Sequence, residues 1–439
     1  MKIIDHINKF RPLESNPIGW NCFQLGLFLL PSTVLLSGLF FLVALVLGSK
    51  NRQFSYLKDL WNFPLLIASS LMIIGCFTAY SEWLSWVGLA NWLPLFWAFW
   101  AFQPYLTNSH SRRFSGLVLL AGTVPVVLTG FGQLLLGWTG PWDALGGLII
   151  WHVVPGGQPF GRLSGLFDYA NIAGAWLAII WPFSLAALIH SFAERRNKSA
   201  SFFIVLAIAI AIAIAILLTD SRNAWGAFLL AIPFLYGTST WIWLLPLFAF
   251  LVTPIFISSF PGVPLSIQEF FRFFVPQSIW ERLSDIRFDR AIEATRLNQW
   301  KLAILFILEK PFLGWGAAAF SIIYTEKTDL WHGHAHNLPL ELAVAHGLPA
   351  SLLIIGMALK LLYESMMRGV ISKKARLDDK LGTILFDRAW WTATLIIIFL
   401  HAFDIPLFDS RINILSWVLL AGLRALIKPS TNLNLNTNI

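Results

Sequence analysis

Apolar residues in this chain come in long solid runs parted by short polar stretches, without the polar–apolar alternation of a half-buried strand. Residues 204–218 carry no polar side chain at all. Runs of this kind predict membrane-crossing helices near residues 61–80, 87–102, 114–138, 171–192, 201–219, 223–237, 241–257, 347–362, 389–403 and 412–427. The first run, 18–48, is longer than one crossing needs, and Pro31-Ser32 in its middle offers a turn, so it predicts two short helices. The pattern is that of an all-α polytopic membrane protein with about 12 transmembrane helices. A β-barrel would instead show strands of about ten residues with alternating hydropathy.

Positive charge tests this count. Loops that alternate onto the side of the N-terminus carry Lys50, Arg52, Lys58, Arg112, Arg113, Arg195, Arg196, Lys198, Arg368, Lys373, Lys374, Arg376, Lys380 and Arg388. Short loops on the other side carry Arg162, Arg222 and Arg411. The basic side is therefore expected to be cytoplasmic, with both termini there. Reading 18–48 as a single span would put a basic segment outside. Three regions follow: 1–257, an N-terminal bundle of about nine spans with an interfacial stretch at 139–169; 258–346, one large outer loop; and 347–439, three spans and a cytoplasmic tail.

Composition agrees and narrows the classes. The chain is 57% hydrophobic and 12% charged, with a mean hydropathy of +0.69, too apolar for a soluble domain. Its net charge of +8 belongs to membrane topology rather than to nucleic-acid binding. Tryptophans such as Trp83, Trp86, Trp92, Trp97, Trp138, Trp142, Trp390 and Trp391 lie near predicted span ends and fit interfacial anchoring. Cys22 and Cys76 are too few for a disulfide framework, and the N-terminus lacks the pattern of a cleaved signal peptide. There is no Gly-rich phosphate loop, and Asp378-Asp379 falls on the cytoplasmic side, so a metal-dependent sugar-nucleotide transferase is disfavoured. Lys360, Glu364, His401 and Arg424 fall towards span ends, whereas an ion-coupled transporter normally needs ionisable groups near span centres.

Candidate chemistry gathers on the outer side. His332-Gly333-His334-Ala335-His336-Asn337-Leu338-Pro339, running on to Glu341 and Gly347, places ionisable groups just before a span. Neutral imidazole accepts a proton near pH 7, which makes His336 the candidate general base. The alternation His332-x-His334-x-His336 could also hold a metal, but no acidic ligand follows at a standard spacing, so no metal is assigned. A plainer reading makes Asn337 an N-cap, Pro339 a first-turn residue and Glu341 a partner of the positive helix end. Arg162 sits in Gly-Arg-Leu-Ser-Gly-Leu-Phe-Asp-Tyr-Ala-Asn directly before a span, and Arg222 in the tight turn Thr219-Asp220-Ser221-Arg222-Asn223. A guanidinium forks onto phosphate oxygens, so both suit a diphosphate at the membrane surface; the bland alternative is snorkelling or pairing with Asp168 or Asp220.

These motifs resemble the O-antigen ligase and O-antigen polymerase superfamily. His336-Asn337-Leu338-x-x-Glu341 to Gly347 is similar to its histidine signature, and Lys310-Pro311-Phe312-Leu313-Gly314-Trp315-Gly316 with Phe320 to the segment preceding it. Arg162 and Ser221-Arg222-Asn223-Ala224 resemble its two arginine motifs, and Arg296 with Trp300 fits its large periplasmic loop. The resemblance implies a GT-C-like fold and a metal-independent, inverting glycosyltransferase without cofactor, in the bacterial inner membrane and facing the periplasm. The donor would be a glycan on undecaprenyl diphosphate, and the acceptor a lipid A–core oligosaccharide. His336 would deprotonate the acceptor, Arg162 and Arg222 would bind the donor diphosphate, and Arg296, Asn337, Glu341 and His334 would support them. Asn223 stands where a Gly is more usual, and His332 and His334 lie outside the shared pattern. A polymerase acting on a growing polysaccharide shares these motifs. A related branch labelled as inorganic-carbon transport proteins makes a bicarbonate transporter the third alternative.

Overall fold

A bilayer gives backbone N–H and C=O groups no water to bond, so a crossing segment satisfies them within itself as a helix. The computed structural model describes residues 7–50, 55–193, 199–260, 262–284, 296–372 and 381–427. Helices account for nearly all of its regular structure. The exception is a small hairpin in the interfacial stretch, Trp142–Ala144 paired antiparallel with Ile149–Trp151. The helices are α1 (Pro17–Leu29), α2 (Val34–Ser49), α3 (Phe63–Cys76), α4 (Trp83–Gly88), α5 (Leu93–Ala101), α6 (Ser109–Leu135), α7 (Ala170–Ala193), α8 (Ala200–Leu218), α9 (Arg222–Tyr236) and α10 (Trp241–Ser259). The outer loop contributes α11 (Leu265–Arg272), α12 (Gln277–Ser284), α13 (Arg296–Glu309) and α14 (Ala319–Thr328). The chain closes with α15 (Leu338–Met367), α16 (Leu381–His401) and α17 (Ser410–Ile427).

Seven described helices are long and apolar enough to cross a membrane: Ser109–Leu135, Ala170–Ala193, Ala200–Leu218, Thr238–Ser259, Leu338–Met367, Gly382–His401 and Ser410–Ile427. The chain is thus an all-α polytopic membrane protein. The turn at Pro31-Ser32 falls between α1 and α2, as the sequence predicts. One expected span is corrected. The run 87–102 is not one span, because it breaks into the end of α4, a 3₁₀ turn at Leu89–Asn91, and α5 with Pro94 in its first turn. The span expected from Gly347 does start there: Gly347 is non-helical (φ 78°, ψ 165°) and kinks α15, and a short capped helix from Leu338 precedes it. Lys2, Arg52, Arg195, Arg196, Lys198, Lys373, Lys374, Arg376, Lys380, the Asp378-Asp379 pair and the expected cytoplasmic tail lie outside the described residues.

Helices in lipid gain little from hiding apolar surface and instead associate by close packing. α7 is one of two deeply buried spans, with α17, and is walled by α6, α8, α9 and α16. At Gly174 a Cβ would come within 2.9 Å of the Ala224 Cβ and the Thr219 hydroxyl, so glycine lets α7 touch the turn that carries Arg222. Trp390, Trp391 and Trp92 are not interfacial anchors. They are buried, and the indoles of Trp390 and Trp391 donate to the Arg112 and Leu362 carbonyls within the bundle. Trp83, Trp86, Trp97 and Trp138 are exposed. A second, smaller core joins α13 and α14 to the start of α15 through Phe306, Phe320, Tyr324, Ala335 and Val344.

The bundle has two chemically different ends. One holds Arg112 paired with Asp387 at 2.7 Å, Arg388 donating to the Val370 and Tyr236 carbonyls, and Arg424 paired with Asp59 at 3.2 Å. The directions of α15, α16 and α17 put His336, Asp404 and Arg411 at the other end. There, Gly347 adopts φ 78°, and a Cβ would run into the Phe312 carbonyl. That close approach seats the Lys310–Gly316 run against α15: Trp315 N–H donates to Val344 O, Gly316 N–H to Ala345 O, and Leu348 N–H to Pro311 O.

Candidate active site

The histidine segment is fixed by its own side chains. Asn337 caps α15, its carbonyl oxygen accepting the Leu340 N–H at 3.0 Å while its amide donates to Ala402 O at the end of α16. Glu341, buried in the first turn, accepts the Ala335 N–H at 2.9 Å. The capping predicted for Asn337 is present, and Glu341 does more than sit near a positive helix end. Between these two contacts the chain passes through His336 with φ 50°, a left-handed conformation uncommon outside glycine, though less so for Asn, Asp and His. The His336 N–H donates to His334 Nδ1 at 3.2 Å, and the two rings lie 4.3 Å apart.

His336 meets a partner that sequence reasoning did not single out. Its Nδ1 lies 3.0 Å from Asp404 Oδ1, and the same oxygen accepts the Ile405 N–H. Arg296, at the start of α13, brings Nη2 to 3.8 Å from Asp404 Oδ2. Burial pushes the Asp404 carboxyl up, but the His336 hydrogen bond and the charges of His336, Arg296 and His334 outweigh it and bring it down to about 2. An ionised carboxylate only accepts, so Nδ1 carries the proton of this bond and Nε2 is the lone-pair nitrogen of the neutral ring. Burial, reinforced by the charge on His336, pushes His334 down to about 4, so it is neutral at pH 7; burial likewise lowers His332. The outcome is an oriented imidazole, 30% exposed, beside a fixed anion. Asp404 had a weak signal: a short segment after the penultimate span carries Asp404, Asp409 and Arg411, on the side that the span count gives to His336.

The arginine side is built from the interfacial stretch. Gln133 of α6 gathers it, accepting the Ser164 and Gly165 N–H groups and donating to Val154 O. Arg162 is buried, with Nε donating to Thr219 O at 2.8 Å and Nη2 to Asn171 Oδ1 at 2.6 Å; Leu163 N–H donates to Leu218 O. These bonds tie the Arg162 loop to the turn that presents Arg222, an exposed residue at the first position of α9, where helix N–H groups also favour an anion. The structure therefore brings Arg162 to the Arg222 turn, and separately brings Arg296, Asn337, Glu341 and His334 to His336.

A guanidinium at the start of the last span helps to join the two groups. Arg411, at the start of α17, is nearly buried and binds Asp409 through Nε at 2.9 Å and Nη2 at 2.5 Å. Its Nη1 donates to Leu166 O at 2.8 Å, and its guanidinium stacks 3.8 Å from the Phe167 ring. The loop after Arg162 is thereby fastened to the segment that carries Asp404.

Against known families, residues 207–355, about a third of the chain, match a family model described as O-antigen ligase. That span holds Arg222, Arg296 and the whole histidine segment, while Arg162 and Asp404 fall outside it. No curated protein matches the chain.

Proposed function

We propose, from the premise that this chain carries an O-antigen ligase domain, that it transfers a glycan from undecaprenyl diphosphate to a lipid A–core acceptor at the periplasmic face of the inner membrane. Membership of the ligase or polymerase type rests on the family match. The particular reaction is carried by one observation, the His336 ring oriented by Asp404 at the mouth of α15.

In this scheme His336 Nε2 takes the proton of an acceptor hydroxyl as its oxygen attacks the anomeric carbon of the donor sugar. The bond from that carbon to the diphosphate breaks, its electron pair leaves on the diphosphate oxygen, and the configuration inverts. Asp404, held ionised, stabilises the imidazolium that forms, as a buried carboxylate does behind any histidine base. Arg162 and Arg222 hold the diphosphate and meet the negative charge that grows on it, with the α9 N-terminus beside them. Arg296, Asn337, Glu341 and His334 keep the histidine segment in place. The scheme assigns no metal and no cofactor to the step.

The test is the lipopolysaccharide of a deletion strain. Loss of every attached glycan chain supports ligase; a core bearing a single repeat unit would make the protein a polymerase. Bicarbonate uptake by the purified protein in liposomes would instead replace the enzyme reading with a transporter.

A further inference from the structure

One ring nitrogen of His334, one of His336 and a carboxylate oxygen of Asp404 all lie within 4.8 Å of one another. A tetrahedral Zn²⁺ with bonds of about 2 Å to nitrogen and oxygen would hold such atoms about 3.3 Å apart, so the widest pair needs to close by at most about 1.5 Å. Two imidazoles and one carboxylate suit zinc and its transition-metal neighbours, and suit Mg²⁺ or Ca²⁺ poorly, because those cations take oxygen ligands. All three side chains are partly exposed, which gives an ion a path from the outer solution. Sequence spacing alone had supplied no acidic ligand; Asp404 supplies it from 68 residues away.

We propose that His334, His336 and Asp404 form a dissociable Zn²⁺ site, and that its occupation switches the enzyme off. This rests on the reading of His336 as the proton acceptor. Zinc on Nε2 removes the lone pair that takes the acceptor proton, and zinc on Nδ1 removes the Asp404 contact that orients the ring; either stops the transfer. Two interactions oppose binding. The ion displaces the His336–Asp404 hydrogen bond, and it meets the positive charge of Arg296. That pair is long, at 3.8 Å, and Arg296 is 39% exposed, so the Arg296–Asp404 attraction is weak. The site is accordingly one of moderate affinity, suited to a regulatory ion rather than a resident one.

The experiment titrates full-length protein in detergent micelles with ZnCl₂ by calorimetry, and with CoCl₂ to follow the visible absorption of tetrahedral cobalt. One ion per chain is expected. His334→Gln, which keeps an acceptor side chain for the His336 N–H, and Asp404→Asn are each expected to weaken binding by about tenfold or more. His152→Ala, on the interfacial stretch, is expected to leave it unchanged. No stoichiometric binding, or binding equally tight in His334→Gln, would overturn the site. In the transfer assay, half-inhibition should fall at the dissociation constant and reverse with EDTA; bound zinc without inhibition would overturn the switch. A chain that transfers no glycan under any condition would instead sink the enzymatic reading, leaving the metal site to the binding data alone.

Discussion

The arginine side and the histidine side of the candidate site are held by opposite means. On the arginine side, Arg162 donates to a carbonyl and a side-chain amide and stays buried, so its charge is spread over fixed dipoles. On the histidine side the charges are shared among side chains: Asp404 serves His336, Arg296 and its own backbone, and His336 sits in a left-handed conformation. On the proposed reading, the first arrangement suits a cradle that keeps its shape while an anion comes and goes. On the same reading, the second suits a group that takes up and gives back a proton beside a counter-charge that stays in place.

Substitutions that separate chemistry from scaffolding test this contrast. The largest effect is expected from His336→Ala, a fall of about a hundredfold or more in transfer with the thermal midpoint unchanged. Normal surface polysaccharide from a well-expressed variant would remove the base from the scheme. Arg222→Ala follows, with a loss of about a hundredfold that Arg222→Lys recovers only in part, because lysine keeps the charge and loses the fork. Equal activity of the two variants in a purified assay would deny Arg222 a bidentate contact. Asp404→Asn keeps the shape and removes the charge, and should cost about tenfold in turnover with little change in apparent acceptor affinity. A change confined to KM would make Asp404 part of the binding surface instead. Arg411→Gln is expected to act least on transfer and most on folding. Breaking a nearly buried pair costs about 3 kcal/mol, read as a lower unfolding midpoint. If it abolished transfer at full stability, Arg411 would belong to the chemistry and the contrast between the two sides would fail.

Much of the helical plan was legible in the residues. Pro31-Ser32 marked the turn between α1 and α2, and the bounds of α8, α9 and α17 fall within a residue or two of the apolar runs, because a membrane helix announces itself by uniform composition. Composition says less about breaks within such a run. Asn91 and Pro94 interrupt 87–102, yet the stretch stays apolar on average. Both parts of α15 were legible: Asn337, Pro339 and Glu341 mark its capped start, and Gly347, non-helical in the structure, marks where the apolar span begins. Buried Trp390 and Trp391 share a span-end position with true interfacial anchors, and only their neighbours tell them apart. At the site, His336, Arg162 and Arg222 were visible as charges out of place near hydrocarbon. Asp404 was not, because an acidic residue at a span exit is ordinary until the fold sets an imidazole against it.

The Glu341–Ala335 contact has one more consequence. It closes a short ring of backbone around His336, anchored at one end by a side chain from within the helix and at the other by an amide just before it. Length inside such a ring is fixed as strictly as identity. A single residue inserted between 336 and 340 would unclasp it and turn the imidazole away, while the same insertion near Gly333, beyond the clasp, would be absorbed. Over those few positions the register of the chain is itself part of the chemistry.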